Sequence, residues 1–189
     1  MTRYGPVELL TSEHDRSGFD CGSSAQTDWL TRYALLAQQA DTARVYVVRP
    51  HGEPRVAGYY ALSAGSVEPA HASARLASGT GRHPIPVVIL TRLGVDLHDQ
   101  GLGLGSELVQ DAFLQTAAIA DRIGARALLI HAETADAASF YSRLDPAFEP
   151  SPADLLQLVL LLKDLRAGIR KAATRIEAGR RGEARITDG

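Results

Sequence analysis

The run Val87-Val88-Ile89-Leu90-Thr91-Arg92-Leu93-Gly94-Val95, continued by Asp96-Leu97-His98-Asp99 and Gln100-Gly101-Leu102-Gly103-Leu104-Gly105-Ser106, decides how this chain is read. An apolar, strand-like stretch leads through a polar turn into a glycine-rich loop, and a helix follows. The loop has the pattern Gln-x-x-Gly-x-Gly at Gln100, Gly103 and Gly105. Small residues there let backbone N–H groups come close to a phosphate, and the start of the helix behind them carries partial positive charge. No Gly-Lys-Ser/Thr ending follows, so the loop is not of the Walker type. An ordinary strand–turn–helix whose glycines only ease the turn has the same spacing.

Length and composition fit one domain with a real core: 189 residues, 45% hydrophobic, formal net charge −2. The charge is unevenly spread. Residues 163–189 hold eight Lys/Arg against four Asp/Glu, a net of +4, which leaves the remainder at −6. Nucleic-acid contacts would have to come from local patches or from this tail. The single cysteine, Cys21, excludes an internal disulfide and fits a reducing compartment. Neither a metal-ligand cluster nor a His–Cys pair is suggested, so no metal is expected. With no apolar signal region and no membrane-length run, a cytoplasmic protein without a membrane partner is expected.

In chain order, residues 7–10 read as a short strand and 25–39 as a helix with Trp29, Leu30, Tyr33, Leu36 and Ala37 on one face. Residues 43–49 and 55–63 form a hairpin around a Pro/Gly turn. Residues 64–84 read as a long substrate-facing loop with one helical turn near 73–76 and with Arg75, Arg82, His71 and His83 as its titratable members. After the glycine loop, 106–123 is a helix whose face is Leu108, Ala112, Thr116, Ile119 and Ile123. A buried strand at 126–132, a short helix at 136–144 and a final strand at 155–162 complete the body. The tail from 166 to 189 is polar, Arg-rich, and flexible or part-helical. Hairpins first, then strands alternating with helices, predict a mixed α/β sheet.

This order, with the loop at Gln100, Gly103 and Gly105, resembles the GNAT acetyltransferases over residues 1–165. Phe19-Asp20-Cys21-Gly22, residues 58–63, Arg92-Leu93-Gly94-Val95-Asp96, Phe140-Tyr141 and residues 148–152 are similar to the acetyltransferase toxins of bacterial toxin–antitoxin pairs. The resemblance implies a largely antiparallel sheet flanked by helices, with a splayed central strand. It implies acetyl-CoA as cosubstrate, held by Leu93, Gly94 and Val95 along the strand and by Gln100, Gly101, Leu102, Gly103, Leu104, Gly105 and Ser106 at the loop. It implies acetylation of the α-amino group of an aminoacyl-tRNA, a block to translation, and a small DNA-binding antitoxin from the neighbouring gene. A homodimer is left open. Gly94 stands where alanine is more usual, and Asp145-Pro146-Ala147-Phe148 replaces a tight Gly-Phe turn.

In the transfer, an amine attacks a thioester and a thiolate leaves. A phenol, with an ordinary pKa near ~10, can protonate a departing thiolate near ~8.5. Tyr141 matches the family's general-acid tyrosine, and with the glycine loop at family spacing that reading is preferred to a core aromatic pair at Phe140-Tyr141. No buried carboxylate–His pair offers a base; Glu133 is the only placed carboxylate, at a strand end. Arg75, Arg82, His83 and Arg92 are the expected tRNA contacts, with the tail. Two readings compete: a GNAT enzyme acting on a small amine or protein N-terminus, and a regulator that binds a dinucleotide or CoA. For the latter, Gly101, Gly103, Ser106 and Glu133 partly match the dinucleotide fingerprint.

Overall fold

A computed structural model describes residues 3–186, with side chains through residue 175. The chain opens with β1 (Glu8–Leu9) and a helical segment in three parts: α1 (Ser24–Asp28), a π-helical turn (Trp29–Tyr33) and α2 (Ala34–Gln39). Ser23 caps α1 by accepting from the Gln26 amide. The helix expected over 25–39 is present, but its apolar face is not the expected one. A π turn holds an extra residue and rotates the phase, so Leu30 and Ala34 are buried while Tyr33 and Leu36 face solvent.

β2 (Arg44–Val48) and β3 (Gly58–Val67) form the expected hairpin, and β1 adds antiparallel to β2. β3 runs four residues into the expected loop. Ala64, Gly65 and Ser66 carry no strand signal of their own, yet they pair with Val88, Val87 and Pro86 of β4 (Ile85–Val95). A Cβ on Gly65 would lie 2.3 Å from Ile89 Cδ1, so a larger residue there would collide with the neighbouring strand. The rest of the loop carries a 3₁₀ turn (Pro69–His71) and α3 (Ala74–Ala77), capped by Ser73.

After β4, a 3₁₀ turn (Leu97–Asp99) leads to α4 (Leu104–Ile123), then β5 (Ala127–His131), α5 (Ala135–Leu144), β6 (Glu149–Ser151), β7 (Asp154–Leu161) and α6 (Leu162–Ile186). One seven-stranded sheet has the order β1-β2-β3-β4-β5-β7-β6. Only β4 and β5 pair in parallel; the other neighbours are antiparallel. α4 begins two residues earlier than expected, and its buried stripe is Leu104, Leu108, Val109, Ala112, Thr116 and Ala120, with Ile123 exposed.

The main core lies between α4 and one sheet face, where Tyr60, Leu90, Leu128, Ile130 and Leu160 pack. Leu30, Ala34, Val45, Val47 and Tyr59 fill the other face under α1 and α2. Leu76 of α3 covers Ile85, Val87 and Leu129. α6 crosses the boundary expected at residue 165, with Leu162 and Leu165 buried in the main core.

Pairing along β4 positions the site. β5 matches Val87–Leu90 only, while β3 follows β4 all the way to Val95. The β3–β4 register slips by one at Ala61/Leu62, so Thr91 is an extra residue on β4, its hydroxyl donating to the Ala61 carbonyl at 3.2 Å. A bulge of this kind bends the longer strand. Beyond it, β4 follows β3 and no longer pairs with β5.

Candidate active site

The cleft between the parted strands is a cavity of about 560 Å³ lined by Leu93, Gly94, Val95, Gln100, Gly101, Gly103, Leu104, Gly105 and Ser106. Cys21, Ser23, Gln26, Asp99, Glu133 and Phe140 complete its wall. A narrower crevice of about 60 Å³ shares Gln26, Leu93 and Glu133 with it and ends among Leu90, Thr91, Arg92, His131, Ala132, Ala137 and Tyr141. Strand edge, glycine loop and tyrosine therefore lie along one continuous groove.

The loop has the geometry that an anion cradle needs. Gly101 and Gly103 take left-handed backbone angles (φ 75° and 88°), and a Cβ on either would meet no atom within 4 Å, pointing into open space. Gly103 is the N-cap of α4 and offers no side-chain cap to the first amides of a 20-residue helix. Such uncapped N–H groups, with the helix dipole behind them, are a site for phosphate oxygens. Leu102, expected in the cradle, is exposed and outside the lining, because the two left-handed glycines turn the backbone on either side of it. Gln100 braces the loop: its Nε2 donates to the carbonyls of Val95 and Cys21 at 2.9 and 3.1 Å.

Two buried carboxylates, unmarked in the sequence, fix the turn before the loop. Asp96 accepts from the backbone amides of Asp20 and His98 and pairs with the His98 ring at 2.7 Å. Asp99 accepts from Arg55 at 2.6 Å and from the Tyr4 hydroxyl at 2.9 Å. Nothing in the local pattern announced partners 44 and 95 residues away. Gly94 has its own reason: a Cβ there would lie 2.8 Å from the Tyr59 ring and 3.2 Å from Cys21 Sγ.

Tyr141 is buried beside Phe140 and Phe148. Burial, and secondarily the charge of Glu133, push its phenol above the ordinary range, so Tyr141 carries its proton at neutral pH. The longer turn after α5 closes on itself, Asp145 accepting from the Ala147 amide at 2.9 Å. Phe148 thereby comes within 6.4 Å of the Tyr141 ring.

Of the expected tRNA contacts, only Arg92 reaches the groove. Its guanidinium sits 5.5 Å over the Trp29 ring and donates to the Thr91 carbonyl. Arg82 and His83 are exposed just before β4, on the order of 30 Å of strand from Val95. Arg75 lies with them in the loop, but its guanidinium is taken up by Glu149 and Asp164. The side chains of the tail arginines beyond residue 175 lie outside the described part of the structure. Among the described residues no group of three or more His, Cys, Asp or Glu could hold a metal ion, and no helix is long and apolar enough to cross a membrane.

No family model matches the chain. A protein of Mycobacterium tuberculosis named tRNA-acetylating toxin is 40% identical over 167 residues, 88% of this chain and 98% of that protein. The structure of AtaT complexed with acetyl-methionyl-tRNAfMet superposes with a TM-score of 0.78 at 27% identity, covering 87% of this chain and 98% of its own. A tyrosine-to-phenylalanine mutant of AtaT, bound to the C-terminus of the antitoxin AtaR and acetyl-CoA, gives a TM-score of 0.75 at 26% identity, covering 89% and 99%.

Proposed function

The chain belongs to the family of tRNA-acetylating toxins with the GNAT fold, and on that premise we propose that it moves the acetyl group of acetyl-CoA onto the α-amino group of an aminoacyl-tRNA. The observation that carries this reading is the groove, which joins an uncapped helix start, an unpaired strand edge and a buried phenol.

Each part has a task. The amides at Gly103, Leu104 and Gly105 face the pyrophosphate of the cosubstrate, and the free edge of Leu93, Gly94 and Val95 pairs with its pantetheine arm. The amine approaches through the crevice and attacks the thioester carbonyl. As the carbon–sulfur bond breaks, Tyr141 gives its proton to the thiolate. The phenol is protonated throughout binding, so a proton is in place when the sulfur departs, an interaction of the transition state. The dinucleotide alternative has no use for a phenol at the end of the groove.

The RNA reaches the protein at separate basic points: Arg92 beside the crevice, Arg82 and His83 at the far end of β4, and the arginines of α6. Arg75 joins them only by exchanging Glu149 and Asp164 for phosphates. A small DNA-binding antitoxin covering the groove, encoded beside the toxin and acting with it in the cytoplasm, completes the proposal.

The test is to incubate the protein with acetyl-labelled acetyl-CoA and bulk aminoacyl-tRNA. Label is expected on the tRNA and released by mild base as N-acetyl amino acid. Label found only on free amines or on proteins would reject the tRNA substrate in favour of a small amine or a protein N-terminus.

A further inference from the structure

Building on the aminoacyl-tRNA reading, we propose that Glu133 receives the substrate's α-ammonium group and takes its proton, and that Gln26 is the positioning residue that aims it. Glu133 stands where β4 and β5 part and, with Gln26 and Leu93, lines both the cosubstrate cavity and the crevice that ends at Tyr141. A carboxylate at a strand end is ordinarily free in water, and Glu133 is exposed there. This one is tied across the groove: its Oε1 accepts from Gln26 Nε2 at 2.8 Å and from Ser23 Oγ at 3.4 Å. Both bonds fall on Oε1, which leaves Oε2 for an incoming amine.

Gln26 is itself held in place. The Tyr59 hydroxyl donates to its main-chain carbonyl at 2.7 Å and stands 3.2 Å from its Oε1, which orients the amide so that Nε2 faces the carboxylate. Tyr59 is stacked on Trp29 at 5.9 Å and meets Phe19 edge-on. Glu133 and Tyr141 both line the crevice. The other titratable groups around Glu133 are Cys21 and Asp99 on the cavity side and Arg92 and His131 on the crevice side. Asp99 is paired with Arg55, Arg92 is stacked on Trp29, and His131 is paired with Asp154.

The proton count closes. The amine arrives as ammonium, and Glu133 takes one proton and passes it to solvent. The neutral nitrogen forms the carbon–nitrogen bond and the carbon–sulfur bond breaks. Tyr141 protonates the thiolate, and the nitrogen's remaining excess proton restores the phenol. The sum is one N-acetyl product, one coenzyme A thiol and one proton released.

The experiment is the pH profile of kcat/KM for aminoacyl-tRNA acetylation by the wild type, Glu133→Gln, Glu133→Asp and Gln26→Ala, with the thermal shift on adding acetyl-CoA measured for each. An α-amino group titrates near ~7.7–8.0 or somewhat lower in an ester, so a carboxylate matters most below that range. Glu133→Gln is expected to lose about tenfold or more at pH 6.5 and less than about threefold at pH 9, with an unchanged acetyl-CoA shift. Glu133→Asp should recover part of the low-pH activity, and Gln26→Ala should show the same low-pH loss more weakly. A Glu133→Gln profile parallel to that of the wild type overturns the inference and leaves the functional reading intact. A wild type that binds acetyl-CoA but leaves aminoacyl-tRNA unmodified overturns both.

Discussion

The two halves of β4 are built from similar residues and do opposite work. From Val87 to Leu90 the strand is hydrogen-bonded on both edges, and Val87, Val88 and Leu90 are buried. From Thr91 to Val95 it keeps β3 but has lost β5, so one edge of backbone N–H and C=O groups borders a cavity. One extra residue at Thr91 separates them. Backbone groups without a strand partner cost stability inside a protein; here the Val95 and Thr91 carbonyls are met by the Gln100 and Arg92 side chains, and the rest of the edge faces the cavity. The closed half is packed on both edges; the open half is where the proposed reaction takes place.

The comparison predicts that damage to the open half removes chemistry and spares the fold. Tyr141→Phe deletes one oxygen that makes no hydrogen bond among the described residues, while the packed ring stays. Acetyl transfer should fall by about 10²–10⁴-fold, the usual worth of a general acid. Unfolding and acetyl-CoA affinity should scarcely change, and in cells the variant should be harmless. Single-turnover transfer at near wild-type rate would remove Tyr141 from the mechanism.

Damage to the closed half should do the reverse. Leu128, opposite Val88 in β5, is fully buried in the main core. Leu128→Ala should cost about 2–5 kcal/mol in denaturant unfolding. The molecules that remain folded should keep their turnover. A loss of turnover out of proportion to the folded fraction would mean that the halves are coupled.

Gly94 sits in the open half with its back to the second core. In Gly94→Ala the new methyl must push against Tyr59 and Cys21, so stability should fall by about 1–3 kcal/mol. Acetyl-CoA binding should weaken as well, because Tyr59 anchors Gln26 on the groove wall. An alanine tolerated without either effect would show that Tyr59 can move freely.

The smallest effect concerns charge at the remote end. Neutralising Arg82 should lower the salt slope of tRNA binding by just under one unit, since each phosphate contact adds about 0.7–0.9. Arg75→Ser should change that slope less, because its charge is already spent on Glu149 and Asp164. The opposite ranking would show that Arg75 abandons its partners for RNA.

Which features were legible in the sequence follows the same division. Continuous apolar runs at 87–95 and 126–132 and the glycine spacing between 101 and 105 announced the strands and the turn into α4, because those signals are local. The extension of β3 through Ala64–Val67 was illegible, since small residues form a strand there only because β4 lies beside them. The π turn hid the true buried face of the first helix. Asp99, Gln26 and the ion pairs of Arg75 depend on partners dozens of residues away. Among the candidate-site residues, those marked by a local pattern could be read, and those placed by a distant hydrogen bond could not.

The central claim is that the open half of β4, with the start of α4, is the acetyl-CoA site. It is tested most directly by calorimetric titration of acetyl-CoA into the wild type and into Gly103→Val. The added side chain would point into the cleft, where no protein atom lies within 4 Å of its Cβ. The left-handed backbone there should cost about 1–3 kcal/mol of stability, which a thermal melt will register separately. The account predicts one acetyl-CoA bound per wild-type chain and no measurable binding to a folded Gly103→Val. Equal affinity in the two proteins would place the cofactor elsewhere and contradict the account.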